Sequence, residues 1–257
     1  MMDYRRDCSS LWSIVSIVIA LLLWYAVTDG FGLVSSLTLP SPADVASRAV
    51  WLATHTYNGT TLPQNLFASL TVVLVGWMLG VVIGVPLGVL MGWNERVRQY
   101  VSPVIELLRP IPPPAWIPFA VLWFGIAPSG RIFVIFISAL MPCVINAYGA
   151  VIGRDPILVD AARCLGASDK RILRSIVVPT VSSDILAGVR IAIGSAWMTV
   201  VAAELVASSA GLGYMLVQAQ YAIQPSIVLV SMFIIGLVGG LLSITFRAVE
   251  RRYRGGF

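Results

Sequence analysis

Long apolar runs recur along this chain, each divided from the next by a short polar segment. A helix needs about 20 residues to cross a hydrocarbon core. Six stretches reach or approach that length, at about 11–28, 65–92, 101–124, 131–152, 185–208 and 226–247. Of the residues, 58% are hydrophobic and only 11% charged, which excludes an ordinary soluble domain. The fold class that follows is all-α and integral to a membrane, with about six transmembrane helices.

The basic residues orient those helices. Thirteen of the 17 lie in four segments: Arg5 and Arg6; Arg96 and Arg98; Arg154, Arg163, Lys170, Arg171 and Arg174; and Arg247, Arg251, Arg252 and Arg254. The alternating segments hold only Arg48 and Arg131, while Arg109 and Arg190 fall within spans. Positive residues collect on the cytoplasmic side, so both termini and the 153–180 loop are expected there. The net charge of +5 reflects this bias; no basic stripe suited to nucleic acid is present. The first apolar run follows Arg5 and Arg6 as a secretory signal would, but no small-residue cleavage site follows, so it reads as a retained helix. Residues 1–64 form an N-terminal tail, a first span and an extracytoplasmic connection with a short helix at Pro42–Ala53. Residues 65–247 form the membrane core, and 248–257 a basic cytoplasmic tail.

The segment from Asp155 to Pro179 is too polar for lipid, yet it is patterned as two short helices joined at Gly166. Asp155 and Pro156 suit a helix start, and Ser168 with Asp169 begins the second helix. Ile157, Leu158, Ala161, Ala162 and Leu165, then Ile172, Leu173, Ile176 and Val177, fall at helical spacing. A folded, two-faced loop on a membrane protein is a docking device. The chain itself carries no engine: a Walker phosphate loop needs Gly-Lys-Ser or Gly-Lys-Thr, and the one lysine, Lys170, lies between Asp169 and Arg171. Cys8, Cys143 and Cys164 form no metal-type pair, and His55 is the sole histidine, so neither a metal site nor a Ser-His hydrolase has material to build on.

Asp160-Ala161-Ala162, then Gly166, Ile176 and Pro179 resemble the "EAA" loop of the membrane subunit of binding-protein-dependent ABC importers. The spacing matches the family pattern, with Asp160 for Glu and Val178 for Leu. The segments LLRPIPPPAWIPFAVLWFG (107–125) and SAWMTVVAAELVASSAGLGYML (195–216) are similar to the nitrate, sulfonate, taurine and bicarbonate branch. This resemblance implies a type I importer permease fold in a bacterial cytoplasmic (inner) membrane. It implies a second permease copy, two ATPase subunits that bind ATP and magnesium, and an extracytoplasmic binding protein delivering a small solute, an anion by preference. On this resemblance the coupling residues would be Asp160, Ala161, Ala162, Leu165, Gly166, Ala167, Ile176 and Pro179.

Candidate pathway residues are Arg109, Pro112, Pro113, Trp116, Trp123, Trp197, Met198 and Glu204. Five prolines between 110 and 118 forbid a regular third helix, and irregular backbone at membrane depth must be buried by protein or line a watery cavity. That break reads either as a packed kink or as a gate. Arg109 and Arg190 either snorkel to the inner face or line an anion path, and Glu106 is a possible partner for Arg109. Glu204 is either functional or a helix-end hydrogen-bond acceptor for the Gly211–Gly213 turn. Residues 214–224 form a semi-polar stretch, read as a short outer helix or a loop. Gly76, Gly80, Gly84, Gly88 and Gly92 mark a smooth helix face, for core packing or a homodimer seam, and Pro86 interrupts that span. A self-contained channel or ion-coupled carrier is the alternative, though the chain has few intramembrane ionisable pairs to couple an ion.

Overall fold

A computed structural model describes residues 4–32 and 34–254. In chain order the helices are α1 (Tyr4–Tyr25), α2 (Pro42–Thr54), α3 (Leu62–Trp93), α4 (Glu95–Leu108), α5 (Ile117–Phe124) and α6 (Pro128–Ile152). They continue with α7 (Pro156–Cys164), α8 (Asp169–Ile172), α9 (Val178–Thr180), α10 (Ser182–Val206), α11 (Leu212–Tyr221) and α12 (Pro225–Arg254). Wider π-helical turns follow α1 at Ala26–Gly30 and α8 at Leu173–Val177, and a tighter 3₁₀ turn, Pro113–Trp116, precedes α5. No strand occurs among the described residues.

Four helices are long and apolar enough to cross a membrane: α3, α6, α10 and most of α12. Shorter apolar stretches, Val15–Gly30 and Pro113–Phe124, stand where the first and third spans were expected. The third span therefore needs correction. The helix stops at Leu108, and Pro110 and Pro112 lack the amide hydrogens that would continue it. Pro86, by contrast, does not interrupt α3, which runs unbroken from Leu62 to Trp93. The expected tail at 248–257 is also no separate segment as far as Arg254, because α12 carries straight through it; 255–257 lie outside the described residues.

The chain divides into two compact units. One comprises residues up to Asn65 together with Met215–Ile234. There the Ser41 side chain accepts from Asp44 N–H at 3.2 Å while the Asp44 carboxylate accepts from Ser41 N–H at 3.4 Å. This capping box, with Pro42 in the first turn, starts α2 close to where the sequence suggested. Val45 and Leu52 of α2 pack with Met215, Ala219, Ile227 and Val230. Beside them, burial pushes the Tyr57 hydroxyl up from its ordinary value, partly offset by the Arg48 charge. The semi-polar stretch after Gly211 is helical, as α11.

The other unit comprises Leu66–Tyr214 and Ile235–Phe257. Its spine is the contact of α3 with α6. A Cβ built on Gly76 would lie 2.7 Å from Ile135, on Gly80 2.6 Å from Ala139, and on Gly92 2.6 Å from Val151. Between these, Gly84 abuts Cys143 and Gly88 abuts the Val144 carbonyl. The glycine stripe is therefore spent inside one chain, which overturns its reading as a homodimer seam. Close approach on both sides of Pro86 also explains why the proline leaves α3 intact: packing holds the helix where the missing bond would let it bend.

Candidate functional site

The 153–180 segment is built by local chemistry. The Asp155 carboxylate accepts from Ile157 N–H at 2.9 Å and Pro156 occupies the first helical position, starting α7. At the other end Gly166 takes φ +78°, with Ala167 N–H bonded to the Ala162 carbonyl at 3.1 Å. A residue with a Cβ rarely adopts that conformation, so glycine makes the hinge between α7 and α8. Arg163 bridges it, 3.9 Å from Asp160 and 3.4 Å from Asp169. These pairs are exposed and contribute little to stability. Beyond α8 the backbone widens into the π turn before Pro179, whose ring would crowd a regular turn.

One face of this segment is keyed into the membrane core. Val159, Ala162, Ile172 and Val177 are buried with Val89, Ala147 and Val151. Ala167 and Ile176 are half-buried, whereas Asp160, Ala161, Gly166 and Pro179 are exposed. Leu165 is 88% exposed and Ile157 70%. The single apolar stripe expected for α7 is thus split. Ala162 faces inward with Val159, while Ile157, Leu158, Ala161 and Leu165 face out. Val159 and Ala162, three positions apart on the helix, share the side packed against Val89, Ala147 and Val151.

The expected pathway residues do not converge. Arg109 and Pro112 are exposed, Pro113 and Trp116 half-buried, and Trp123 and Met198 exposed. Trp116 and Trp123 belong to an aromatic cluster with Phe119, Phe124 and Phe133, ring centroids 5.5 to 6.4 Å apart. Glu106 does not reach Arg109; it accepts from Ser102 at 3.0 Å. Trp197 is buried, donates to the Ile235 carbonyl at 3.0 Å and fills the space left by Gly239. Arg190 pairs with Glu250 at 2.8 Å, a partner neither reading named.

Glu204, in the last turn of α10, is 1% exposed. Ser69 Oγ donates to its carboxylate, at 2.8 and 2.9 Å from the two oxygens, and Gly213 N–H donates at 3.0 Å. Arg131 in the first turn of α6 stands 3.6 Å away and donates to the Ala210 carbonyl at 3.1 Å. The helix-end bond to the Gly211–Gly213 turn is therefore present. Neither Arg131 nor Ser69 was foreseeable as a partner, since they lie 73 and 135 positions from Glu204. Gly211 and Gly213 were the one usable clue: a Cβ at either would collide with Glu204.

Helices long enough to span a bilayer, an internal glycine seam and a two-helix loop with an exposed outer side define a polytopic membrane protein. Residues 84–255 match the model of the binding-protein-dependent transport system inner membrane component, and the chain belongs to that family. It is 41% identical over 240 residues to a probable ABC transporter permease protein of Brucella melitensis, covering 93% of this chain and 94% of that one. It is 35% identical to the taurine transport system permease protein TauC of Escherichia coli, covering 93% of this chain and 87% of that one. It is 34% identical to the nitrate import permease protein NrtB of Synechocystis, covering 89% and 83%. A chain of the MetNI methionine ABC transporter in an inward-facing conformation superposes with a TM-score of 0.64 at 20% identity, covering 74% of this chain and 94% of that chain. The fold is the type I importer permease fold. The chain is a multi-pass inner-membrane permease of an ABC importer, and the reading as a self-contained channel or ion-coupled carrier is withdrawn.

Proposed function

We propose that the 153–180 segment is the coupling element by which a separate ATPase drives this permease, with Asp160, Ala161, Ala162, Leu165, Gly166, Ala167, Ile176 and Pro179 forming or supporting the contact. One observation carries this reading: Leu165, 88% exposed, crowns a segment that also bears Asp160, Arg163, Asp169 and Lys170 on its surface. Those charges keep the segment in water, so its uncovered Ile157, Leu158 and Leu165 are not lipid-facing and suit a protein partner. The buried face supplies the lever, since Val159 and Ile172 press on the same cluster as Val89 and Val151. ATP and magnesium belong to the ATPase, two copies of which serve two permeases. A binding protein delivers the cargo from outside, and relatives named for taurine, aliphatic sulfonates and nitrate favour a small anion. The break at Pro112 and Pro113, with the exposed Trp123 and Met198, faces the route, and Arg109 stands exposed at its edge. Trp197 and Glu204 support its walls from within.

The test is co-purification with a partner ATPase, followed by cargo-stimulated hydrolysis in vesicles. Leu165→Glu should leave the permease folded and lose the ATPase. Retention of the ATPase at the parental level would overturn the docking assignment.

A further inference from the structure

Trp197, Trp77 and Arg190 hold α12 by one side. The Trp197 indole N–H donates to the Ile235 carbonyl at 3.0 Å, and its ring lies where a Cβ on Gly239 would collide. Phe246 meets Trp77 edge-on with ring centroids 5.0 Å apart, and Glu250 pairs with Arg190 at 2.8 Å. Residues 235, 239, 246 and 250 fall on one side of a helix, so these contacts fix how α12 is rotated. The side turned away carries Leu237, Leu241, Ile244, Ala248 and Arg251 in a single stripe, and all are exposed. Arg247 and Arg252 flank Arg251 and are exposed too. Among the described residues, none of these three arginines enters an ion pair.

We infer that Arg247, Arg251 and Arg252 form a binding site for the phosphate of an anionic phospholipid at the basic end of α12. The site requires only that α12 crosses the membrane, and it is independent of the coupling reading. No charge occurs from Pro225 to Phe246, so Leu237, Leu241 and Ile244 are covered by hydrocarbon. Arg247 and Arg251 follow Ile244 by three and seven residues, roughly 5 and 10 Å along the axis, which brings them to the headgroup layer. Their stems can lie along the apolar stripe while the guanidinium heads reach outward. A guanidinium presents forked donors that match a phosphate. Glu250, the acid nearest in sequence, is turned to the opposite side and held there by Arg190, so it leaves the patch cationic. Beside the stripe Gly236 and Gly240 have open space where a Cβ would stand, a shallow channel for an acyl chain. One phospholipid thus meets both halves of the face, its chains along Leu237, Leu241 and Ile244 and its phosphate among the arginines. An acidic protein surface would meet the cations alone.

The experiment offers the full chain in detergent equal amounts of phosphatidylglycerol and phosphatidylcholine and reads the retained lipid by native mass spectrometry. A basic side chain near an anionic surface contributes about fivefold in binding, so phosphatidylglycerol should be retained in about tenfold excess or more. Glycerol phosphate, which lacks the chains, should not displace it. Arg247→Gln, Arg251→Gln and Arg252→Gln combined should bring the ratio close to one. Arg96→Gln with Arg98→Gln, a basic pair elsewhere on the chain, should leave it at the parental value. In vesicles holding the chain assembled with its ATPase, a photoreactive phosphatidylglycerol should mark the peptide that contains Ile244 and Arg247. Equal retention of the two lipids by the parental chain overturns the site, as does a triple variant that keeps the preference. Marking seen in the free chain but absent from the assembly also overturns it, because the face then belongs to the ATPase or to a second permease copy. If the triple variant fails to fold, the parental lipid ratio and the marked peptide decide the matter.

Discussion

The α3–α6 seam and the 153–180 segment are both made of small and apolar residues at helical spacing, yet they end in opposite conditions. Every glycine of the seam is filled by the facing helix: Ile135, Ala139, Cys143, Val144 and Val151 occupy the space in turn. In the other segment Val159 and Ala162 are filled while Ile157 and Leu165 remain uncovered. The difference lies in what surrounds each. The seam lies along α3, which carries no charge between Leu62 and Trp93, so apolar contact within the chain is the available use of a smooth face. The 153–180 segment alternates apolar residues with Asp160, Arg163 and Asp169, so one side packs on the core and the other is left exposed. Small-residue spacing identifies a contact, and the charges around it identify whose contact it is.

The largest effect is expected at the seam. Gly88→Leu would drive a side chain into the Val144 carbonyl, and overpacking of this kind costs about 1–3 kcal/mol or more. Size-exclusion profiles and thermal unfolding in detergent should show loss of folded protein; a parental profile would mean the seam is loose. Next comes a contrast within the coupling segment. Ala162→Glu buries a carboxylate, at a cost of about 1–3 kcal/mol or more, and should both destabilise the segment and release the ATPase. Leu165→Glu should release the ATPase with stability changed by no more than about 0.5 kcal/mol, as for other exposed positions. If the two variants behave alike by unfolding temperature, the division into inner and outer faces fails. A smaller change is expected when Pro112, Pro113 and Pro114 are all replaced by alanine. Uptake should fall while membrane insertion, followed by protease protection, is retained; normal uptake would leave the break as a packed kink. The smallest belongs to Arg109→Ala, an exposed position where stability should move by under about 0.5 kcal/mol and uptake should stay near the parental rate. A large loss of uptake there would place a cation in the anion route.

Much of the architecture was legible because lipid imposes it. The second, fourth, fifth and sixth spans were located within a few residues, and Ser41–Pro42 announced α2 through its capping chemistry. The third span misled because apolar composition persists from Val101 to Phe124 while the prolines break the helix. Pro86 misled in the other direction, since the sequence shows the missing amide but not the facing helix that compensates. At the loop, the Gly166 hinge was readable from spacing, but the face taken by Leu165 was not. Which apolar residue goes inward depends on the shape of α6, and that is a tertiary fact. Glu204 was recognisable as unusual, yet its partners Arg131 and Ser69 come from distant helices and leave no local trace. Arg190 drew two readings suited to an isolated helix, when its partner Glu250 waited 60 positions downstream.

Lys170 is the only lysine in the chain and stands exposed in the first turn of α8. An amine-reactive dye therefore has one side chain to find, and that side chain sits on the surface assigned to the motor. Protection of Lys170 from such a dye, read as the labelled fraction of its own peptide with and without the ATPase, would report whether a partner covers this surface, with no engineered cysteine.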